Sequence, residues 1–228
     1  SPQTWLGLGF RMLNSNMSIA AVVYAGTMDW QTSPSATVSR KRFHLVGEAE
    51  TGQVTSLVQY NPGASFPAHA HPGGEEILVL KGIFSDETGD WPKGSYLLNP
   101  EGFTHAPYSK AGCRLLVKLR QYPDLQPVRL ALDSLKTAEI DGVNAKMLHS
   151  NVIEKTIVAQ LDEGQVITRK CEGGCEGFVL AGNVKVNGAD LGQYDWFRFP
   201  DGDSVRIISQ GCSLYLKFGA VIQLSSHP

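Results

Sequence analysis

Hydrophobic and polar residues alternate along most of this chain in short runs, and Gly, Pro or Asp stands at the ends of most runs. Residues 55–60 (Thr-Ser-Leu-Val-Gln-Tyr) and 196–199 (Trp-Phe-Arg-Phe) are two such runs. Alternation over a few residues between turn formers is typical of β-strands. A helical period is visible at most over residues 128–136. The pattern therefore predicts an all-β chain built from small antiparallel barrels.

The pattern of the first half recurs about one hundred residues later. Thr55-Ser-Leu-Val-Gln-Tyr60 is echoed by Thr156-Ile-Val-Ala-Gln-Leu161, and Gly112-Cys-Arg-Leu-Leu-Val-Lys118 by Gly211-Cys-Ser-Leu-Tyr-Leu-Lys217. A constant offset indicates a duplicated structural unit.

We therefore predict two barrels preceded by a short segment. Residues 1–19 are interpreted as a leader or as a segment that covers a sheet edge, and both interpretations stay open. Residues 20–122 form the first predicted barrel and residues 123–228 the second, with the join near 122–127.

Three of the six histidines fall in one stretch of the first half, together with a carboxylate. His69 and His71 project from the same face of a strand, about 7 Å apart. The turn formers Pro72-Gly73-Gly74 can bring Glu75 back toward them, and two further strands can return His105. Three imidazoles and a carboxylate suit Zn, Fe, Mn, Ni or Co better than Ca or Mg. The sequence predicts one divalent transition metal per chain at these four residues.

The stretch from Gly63 to His105 resembles the two motifs of the cupin superfamily. Those motifs are Gly-x5-His-x-His-x3-Glu-x6-Gly and Gly-x5-Pro-x-Gly-x2-His, and every position of both is matched. The run His71-Pro-Gly-Gly-Glu-Glu-Ile-Leu-Val-Leu-Lys-Gly82, followed by residues 84–90 and 96–100, is similar to the cupin domain of the ChrR family. That family is named for a zinc-dependent inhibitor of an ECF sigma factor, and the resemblance covers about residues 35–120.

The resemblance implies a bicupin, in which two jelly-roll (RmlC-like) barrels follow one another. It implies zinc as the first choice of metal, with Fe, Mn or Ni as alternatives. It also implies a regulatory or stress-response role related to anti-sigma factors, although the zinc-bearing helical domain by which ChrR holds its sigma factor has no counterpart in this sequence. The ligands that the resemblance assigns are His69, His71, Glu75 and His105.

A second function stays open, because many cupins are enzymes: a metal-dependent dioxygenase acting on a small hydrophobic or aromatic ketone. A third, a structural bicupin with a vestigial metal, is disfavoured by the intact ligand set. Alternation predicts that Ile77 and Val79, with Tyr96, Leu98 and Phe66, line a largely apolar pocket for a small-molecule ligand or substrate.

Two acidic positions near the predicted ligands receive plain structural interpretations. Asp86 and Glu87 adjoin Gly89, which predicts a solvated hairpin turn. Glu76 alternates away from Glu75, which predicts a surface or interface salt bridge.

The second copy lacks the ligand set. At the four ligand positions it has Arg169, Cys171, Cys175 and Val205. Arginine has no lone pair to give, so the copied site cannot bind a metal in the same way. We expect Arg169 to form a partly exposed salt bridge. The cysteine pair is interpreted as inert buried thiols, with a disulfide and a soft metal site as alternatives.

Charge and length narrow the choice of partners. The net charge is −2 and the pI is about 6.3, so no basic surface indicates nucleic-acid binding. No run is long enough to span a membrane. Four cysteines at repeat-related positions indicate a reducing compartment, so we expect a cytoplasmic protein. Residues 55–60 and 156–161, if they are edge strands, would allow a homodimer.

Overall fold

The computed structural model describes residues 4–5, 10–32, 35–49, 51–122, 124 and 126–224. Their secondary structure is almost entirely β, which confirms the all-β prediction. Three 3₁₀ helices of one turn lie among them, at Ala25–Thr27, Leu132–Ser134 and Val221–Gln223. Within the described part of the chain, no helix is long and apolar enough to cross a membrane.

The strands are short where the sequence places turn formers and long where alternation is uninterrupted. In chain order the first fifteen are β1 (Thr4–Trp5), β2 (Phe10–Leu13), β3 (Ala21–Val23), β4 (Gln31–Thr32), β5 (Val38–Glu48), β6 (Gln53–Tyr60), β7 (Ala64–Ser65), β8 (His69–Ala70), β9 (Glu75–Asp86), β10 (Gly89–Pro92), β11 (Ser95–Asn99), β12 (Thr104–His105), β13 (Tyr108–Ser109), β14 (Cys113–Leu119) and β15 (Val128–Ala131). The later strands are β16 (Ala138–Ile140), β17 (Val143–Ser150), β18 (Lys155–Leu161), β19 (Val166–Lys170), β20 (Cys175–Val186), β21 (Ala189–Leu191), β22 (Trp196–Phe199) and β23 (Ser204–Phe218).

The chain divides into two compact units, called here the first and the second barrel. The first barrel is built on Asp29–Asp133 and includes β1 and β2, and the second is built on Ser134–Ser225 and includes Asn16–Met28. The predicted boundaries fell after residues 19 and 122. The observed ones differ because two strands near the predicted boundaries belong to the other barrel. Strand β3 pairs with β22 of the second barrel, and β15 pairs with β11 of the first.

The predicted leader or edge segment, 1–19, is described in part, since residues 1–3 and 6–9 lie outside the described residues. Within it, β1 pairs with β2, and β2 pairs with β5 from Phe10↔Glu48 to Leu13↔Leu45. The described part of this segment therefore covers a sheet edge, as one of the two interpretations proposed.

The main sheet of the first barrel has the order β1-β2-β5-β6-β14-β9-β11-β15. Its interior residues are aliphatic and aromatic side chains that alternate with outward-facing ones along each strand. They include Val58, Ile77, Leu97 and Leu115. Strand β6 lies between β5 and β14, so residues 55–60 are not an edge and do not support a homodimer.

The sheet of the second barrel has the order β16-β17-β18-β23-β20-β22-β3. Strands β17, β18, β23, β20, β22 and β3 thus follow one another as β5, β6, β14, β9, β11 and β15 do in the first barrel. Strand β18 is paired on both sides, so residues 156–161 are not an edge either. The interior contains a hydrophobic cluster that includes Ile157, Val179, Phe197 and Leu216.

Candidate metal centre

One tight turn and one strand pair bring the predicted ligands of the first barrel together. His69 on β8 lies directly opposite His105 on β12. Gly73 and Gly74 both have positive φ, +72° and +81°, a conformation that side chains with a Cβ rarely adopt. The resulting turn reverses the chain between His71 and the first residue of β9, Glu75.

The structure brings all four predicted ligand residues together. The Nε2 atoms of His69 and His71 are 2.9 Å apart, and His71 Nε2 is 3.1 Å from Glu75 Oε2. His105 Nε2 is 3.4 Å from Glu75 Oε1. One ligand atom from each histidine lies within 4.8 Å of those of the other two.

Two of the imidazoles have a fixed orientation that directs a lone pair into this cluster. The Nδ1 atom of His69 donates to the Pro67 carbonyl, 3.0 Å away, and Nδ1 of His105 donates to Asp86 Oδ2, 3.1 Å away. In the neutral form of each ring, the Nε2 atom is then the unprotonated nitrogen. The same arrangement, a ligand histidine held through its other nitrogen, is typical of protein metal sites.

The His105 Nε2 atom is buried and has no hydrogen-bond partner. The nearby Glu75 carboxylate is an acceptor as well, so it cannot satisfy this lone pair. Buried polar atoms without a partner are rare, and a bound cation would satisfy both groups. By this test the residues present fit a divalent transition metal.

The electrostatics of the cluster also suit a cation. Burial raises the pKa of Glu75, but the neighbouring His71 and His105 and the Asn99 amide lower it more, to about 2. Burial lowers the pKa of His69. At neutral pH the cluster thus presents an ionised carboxylate beside at least one neutral imidazole.

Asp86 was predicted to lie in a solvated turn, and this was wrong. Its side chain is fully buried, its Oδ2 atom holds His105, and its Oδ1 atom accepts from the Thr88 amide at 2.8 Å. Burial raises the pKa of Asp86, but the hydrogen bonds from His105 and Thr88 outweigh it and lower the pKa to about 2. Asp86 is therefore the carboxylate that orients His105.

A bulge in β9 determines which way Asp86 points. Between β9 and β14 the register shifts, so that Leu115 pairs with Val79 while Arg114 pairs with Lys81. Before the bulge the odd-numbered residues Ile77 and Val79 point inward. After it the even-numbered residues Phe84 and Asp86 point inward. The glycine that follows Lys81 is the only sequence signal of this bulge.

Glu75 is held by two residues that sequence analysis missed. The Asn99 amide donates to Glu75 Oε1 at 3.0 Å, and Arg129 Nη2 donates to Asn99 Oδ1 at 2.6 Å. The Arg129 guanidinium also lies over the rings of Trp91 and Phe103, with 5.7 Å and 5.3 Å to their centroids. Because Arg129 was assigned to the second barrel from sequence, its role in the first could not be foreseen.

A cavity of about 320 Å³ lies within the first barrel and is lined by all four ligand residues. Most of its remaining wall is apolar, and Tyr60, Arg40 and Arg120 add polar groups. The apolar lining includes Val54, Val58, Phe66, Ile77, Phe84, Leu115, Val117 and Leu119.

Of the five predicted pocket residues, Phe66 and Ile77 line this cavity and the other three do not. Val79 is packed in the hydrophobic core. Tyr96 and Leu98 were assigned to the wrong face of β11, since Leu97 lies in the interior cluster and Asn99 reaches Glu75. Glu76 is buried rather than on the surface.

The corresponding positions of the second barrel form no comparable cluster. Arg169 Nη1 lies 2.9 Å from Asp141 Oδ2, both partly exposed, which confirms the predicted salt bridge. Its guanidinium also lies over the Phe218 ring, 3.9 Å from the centroid. Val205 is buried in the hydrophobic cluster, and the cavity beside Arg169 measures only about 10 Å³.

Residues 18–123 match the family model described as the ChrR Cupin-like domain. No curated protein matches the chain in sequence. Among solved structures, YlbA from E. coli is similar over 90% of this chain and 93% of its own, with a TM-score of 0.72 and 11% identity.

Two further structures are similar at comparable level. A proposed dioxygenase from Nostoc punctiforme has a TM-score of 0.65 and 15% identity, over 97% of this chain and 86% of its own. The bacterial pirin YhhW from E. coli in complex with nickel(II) has a TM-score of 0.64 and 14% identity, over 88% and 98%. At such identities the likeness shows the fold alone.

Proposed function

We propose that the first barrel binds one divalent transition metal through His69, His71, Glu75 and His105, and that a small molecule in the adjoining cavity is the substrate of a metal-dependent reaction. The observation that carries this proposal is the cavity itself, because its wall includes every one of the four ligand residues. A site that served only to stabilise the barrel would be closed on all sides.

The chain's own residues supply orientation and enclosure. Asp86 and the Pro67 carbonyl hold two imidazoles with their lone pairs inward, and Asn99 with Arg129 holds the carboxylate. A resident metal such as iron would supply Lewis acidity and reactivity toward dioxygen. The apolar wall excludes water and favours a hydrophobic or aromatic substrate, of which a small ketone remains our first choice.

Tyr60 places a hydroxyl group in the cavity wall where it can contact such a substrate. Its ring contacts Phe66 and Phe84 edge to face, with centroids 5.7 Å and 6.0 Å away, which fixes its position. Burial, with the Glu75 charge as a second cause, raises the pKa of Tyr60. Tyr60 therefore stays protonated at neutral pH and can donate a hydrogen bond to a substrate oxygen.

The substrate proposal is tested by oxygen uptake. Chain loaded anaerobically with Fe(II) would be given air and a panel of small diketones and phenolic ketones. We expect substrate-dependent uptake that Tyr60→Phe lowers and that His71→Ala abolishes. Metal bound at one ion per chain with no uptake on any ketone would reject the reaction while leaving the metal site standing.

A regulatory role is the second proposal, because residues 18–123 match the ChrR cupin-like domain. In this case the small molecule that binds in the cavity is a signal and is not chemically converted. Zinc is the first metal to test, since it has no redox chemistry of its own. Ligand-dependent protection of the first barrel in hydrogen exchange, without turnover of the ligand, would support this role over catalysis.

The duplication is part of the same proposal. It is supported by the shared strand order and by glycine pairs at 73–74 and 173–174, all four with positive φ. On this account the second barrel lost the ligand set after duplication and kept the frame.

A further inference from the structure

The second barrel holds two sulfur atoms in close contact. Cys171 Sγ and Cys175 Sγ are 2.8 Å apart, and both residues are 1% exposed. A disulfide bond is about 2.05 Å long. The two atoms are therefore near bonding distance with both cysteines in the thiol form.

The backbone holds the pair in this position. Gly173 and Gly174, with φ of +74° and +85°, turn the chain between the two cysteines. The Gly174 amide donates to the Cys171 carbonyl at 3.2 Å, and the Gly173 amide donates to Asp201 Oδ1 at 2.7 Å. On the other side, the Cys171 amide donates to the Asp203 carbonyl at 2.7 Å. A bond between the sulfurs thus needs little backbone movement, the usual obstacle to a disulfide.

The chain also contains two thiols that lack this arrangement. Cys113 and Cys212 are buried as well, in the first and second barrel. Cys212 Sγ lies 3.4 Å from the Ser209 hydroxyl, and within the described part of the chain neither has a sulfur neighbour. They are internal controls with similar burial and no thiol partner.

The two paired thiols differ in acidity. The hydrogen bond from Cys175 lowers the pKa of Cys171, and the Arg169 charge lowers it further against the effect of burial. The same hydrogen bond, with burial, raises the pKa of Cys175. Cys171 is thus the thiol that ionises first, and the thiolate is the form that reacts with oxidants.

We propose that Cys171 and Cys175 form a redox-reactive dithiol that closes to a disulfide when a small hydroperoxide enters the second barrel. The Cys171 thiolate attacks one oxygen of hydrogen peroxide, the O–O bond breaks, and Cys171 sulfenic acid and one water result. The Cys175 sulfur then attacks the Cys171 sulfur and displaces its oxygen as a second water. Peroxide takes up the two electrons and both thiol protons, and a dithiol reductant reverses the step.

A small hydroperoxide fits the burial of the pair. Both cysteines are only 1% exposed, so a bulky disulfide oxidant would be excluded. Reaction with the folded chain should therefore be faster with hydrogen peroxide than with oxidised glutathione.

The test uses the intact, reduced chain and needs no variant for its main result. Hydrogen peroxide should remove the mass of two hydrogens, and a non-reducing peptide map should link residue 171 to residue 175. Cys113→Ser and Cys212→Ser should keep this change, whereas Cys171→Ser and Cys175→Ser should lose it.

Three outcomes would overturn the proposal. One is a folded chain that gains oxygen masses at Cys171 without a link. Another is a link that forms only after the chain is unfolded in denaturant. The third is a pair that binds a soft metal such as Zn(II), shown by metal that is lost in the Cys171→Ser, Cys175→Ser double variant, because the pair would then be a metal site.

Discussion

The two barrels share a strand order and differ in what occupies their interiors. The first contains a cavity of about 320 Å³ beside a cluster of three histidines and a glutamate, and the second contains one of about 10 Å³ beside an arginine. At two pairs of equivalent positions, the residues that line the two cavities also differ. Pro67 and Pro107 line the first cavity, and Ile167 and Ile207 line the second.

Proline has no amide hydrogen to donate to a neighbouring strand. Around Pro67 and Pro107 the strands of the first barrel are interrupted, as β7 and β8 on one side and β12 and β13 on the other. In the second barrel Ile167 pairs directly with Ile207 in an unbroken contact of β19 with β23. The interruptions leave space beside the ligand cluster, and the isoleucines fill it.

The difference teaches that the shared strand order does not require a ligand set. In the second barrel a buried apolar cluster includes Val205, at the position equivalent to His105. Buried polar groups cost free energy unless they are paired, so a barrel without ligands gains stability from apolar replacements. The first barrel keeps its polar interior, which we attribute to function.

Acid provides the largest expected effect and should act on the first barrel alone. A proton on any of the three imidazoles competes with the metal, and the hydrogen bond that His105 donates to Asp86 raises the pKa of His105 against the effect of burial. Metal affinity should thus fall as pH drops below about 6.5. Glu75, with a pKa of about 2, stays ionised throughout. Dialysis at pH 4.5 should release the ion reversibly, and full retention there would mean that histidine is not the main ligand.

His105→Ala should be the next largest change. It removes a ligand whose lone pair has no protein partner, so metal affinity should fall by more than about 100-fold, beyond the usual effect of losing a supporting residue. The fold should persist, since the core consists of other residues. Elemental analysis and circular dichroism measure the two effects. The matched control is Val205→Ala, at the equivalent position of the second barrel, which should leave the metal content unchanged.

Asp86→Asn tests the support of the ligand set. The amide can still accept a hydrogen bond from His105 but carries no charge, so we expect metal affinity to drop by about 10- to 100-fold. A competition titration with a chelator gives the ratio. Asp190→Asn, an exposed change in the second barrel, should give the wild-type value. Equal affinity for Asp86→Asn and wild type would remove Asp86 from the site.

Filling the two interiors separates a hollow barrel from a packed one. Ala159→Leu places extra methylene groups in a closely packed cluster and should lower the free energy of unfolding by about 1–3 kcal/mol. Val58→Phe enlarges a side chain at the equivalent position that borders the cavity, and should cost less while blocking small-molecule binding. Urea titrations compare the two variants. A larger loss for Val58→Phe would contradict the assignment of the cavity.

The smallest effect on the metal is expected from Cys171→Ser with Cys175→Ser. Both sulfurs lie in the second barrel, so metal content and any activity should be unchanged. Altering two small buried groups should lower the free energy of unfolding by at most about 1–3 kcal/mol. Metal loss in proportion to the thiols removed would make the second barrel a metal site.

The convergence of the four candidate ligands could be predicted from the spacing of turns and strands. His69, His71 and Glu75 are close in sequence, and glycines mark the turn that joins them. Two further strands were expected to return His105, and it lies opposite His69. Fold class was equally accessible, because alternation and turn residues recur in both halves.

The features that could not be predicted from the sequence depend on pairing between distant strands. Asp86 reaches His105 because a bulge in β9 reverses the alternation of inward and outward side chains. Leu98 faces away from the cavity, and no residue of β11 signals this orientation in the sequence. Arg129 pairs with Asn99 through β15, a strand on the far side of the predicted boundary. Neither the register shift nor the strand exchange leaves a clear periodicity signal.

A cobalt(II) titration of the reduced, metal-free chain tests the central claim most directly, because the stoichiometry and the ligand types are read from one absorption series. We expect saturation at one ion per chain, with weak d–d bands and without the intense ultraviolet charge-transfer bands of cobalt–thiolate bonds. Saturation at two ions per chain, or strong thiolate bands, would contradict the assignment of a single metal centre to His69, His71, Glu75 and His105.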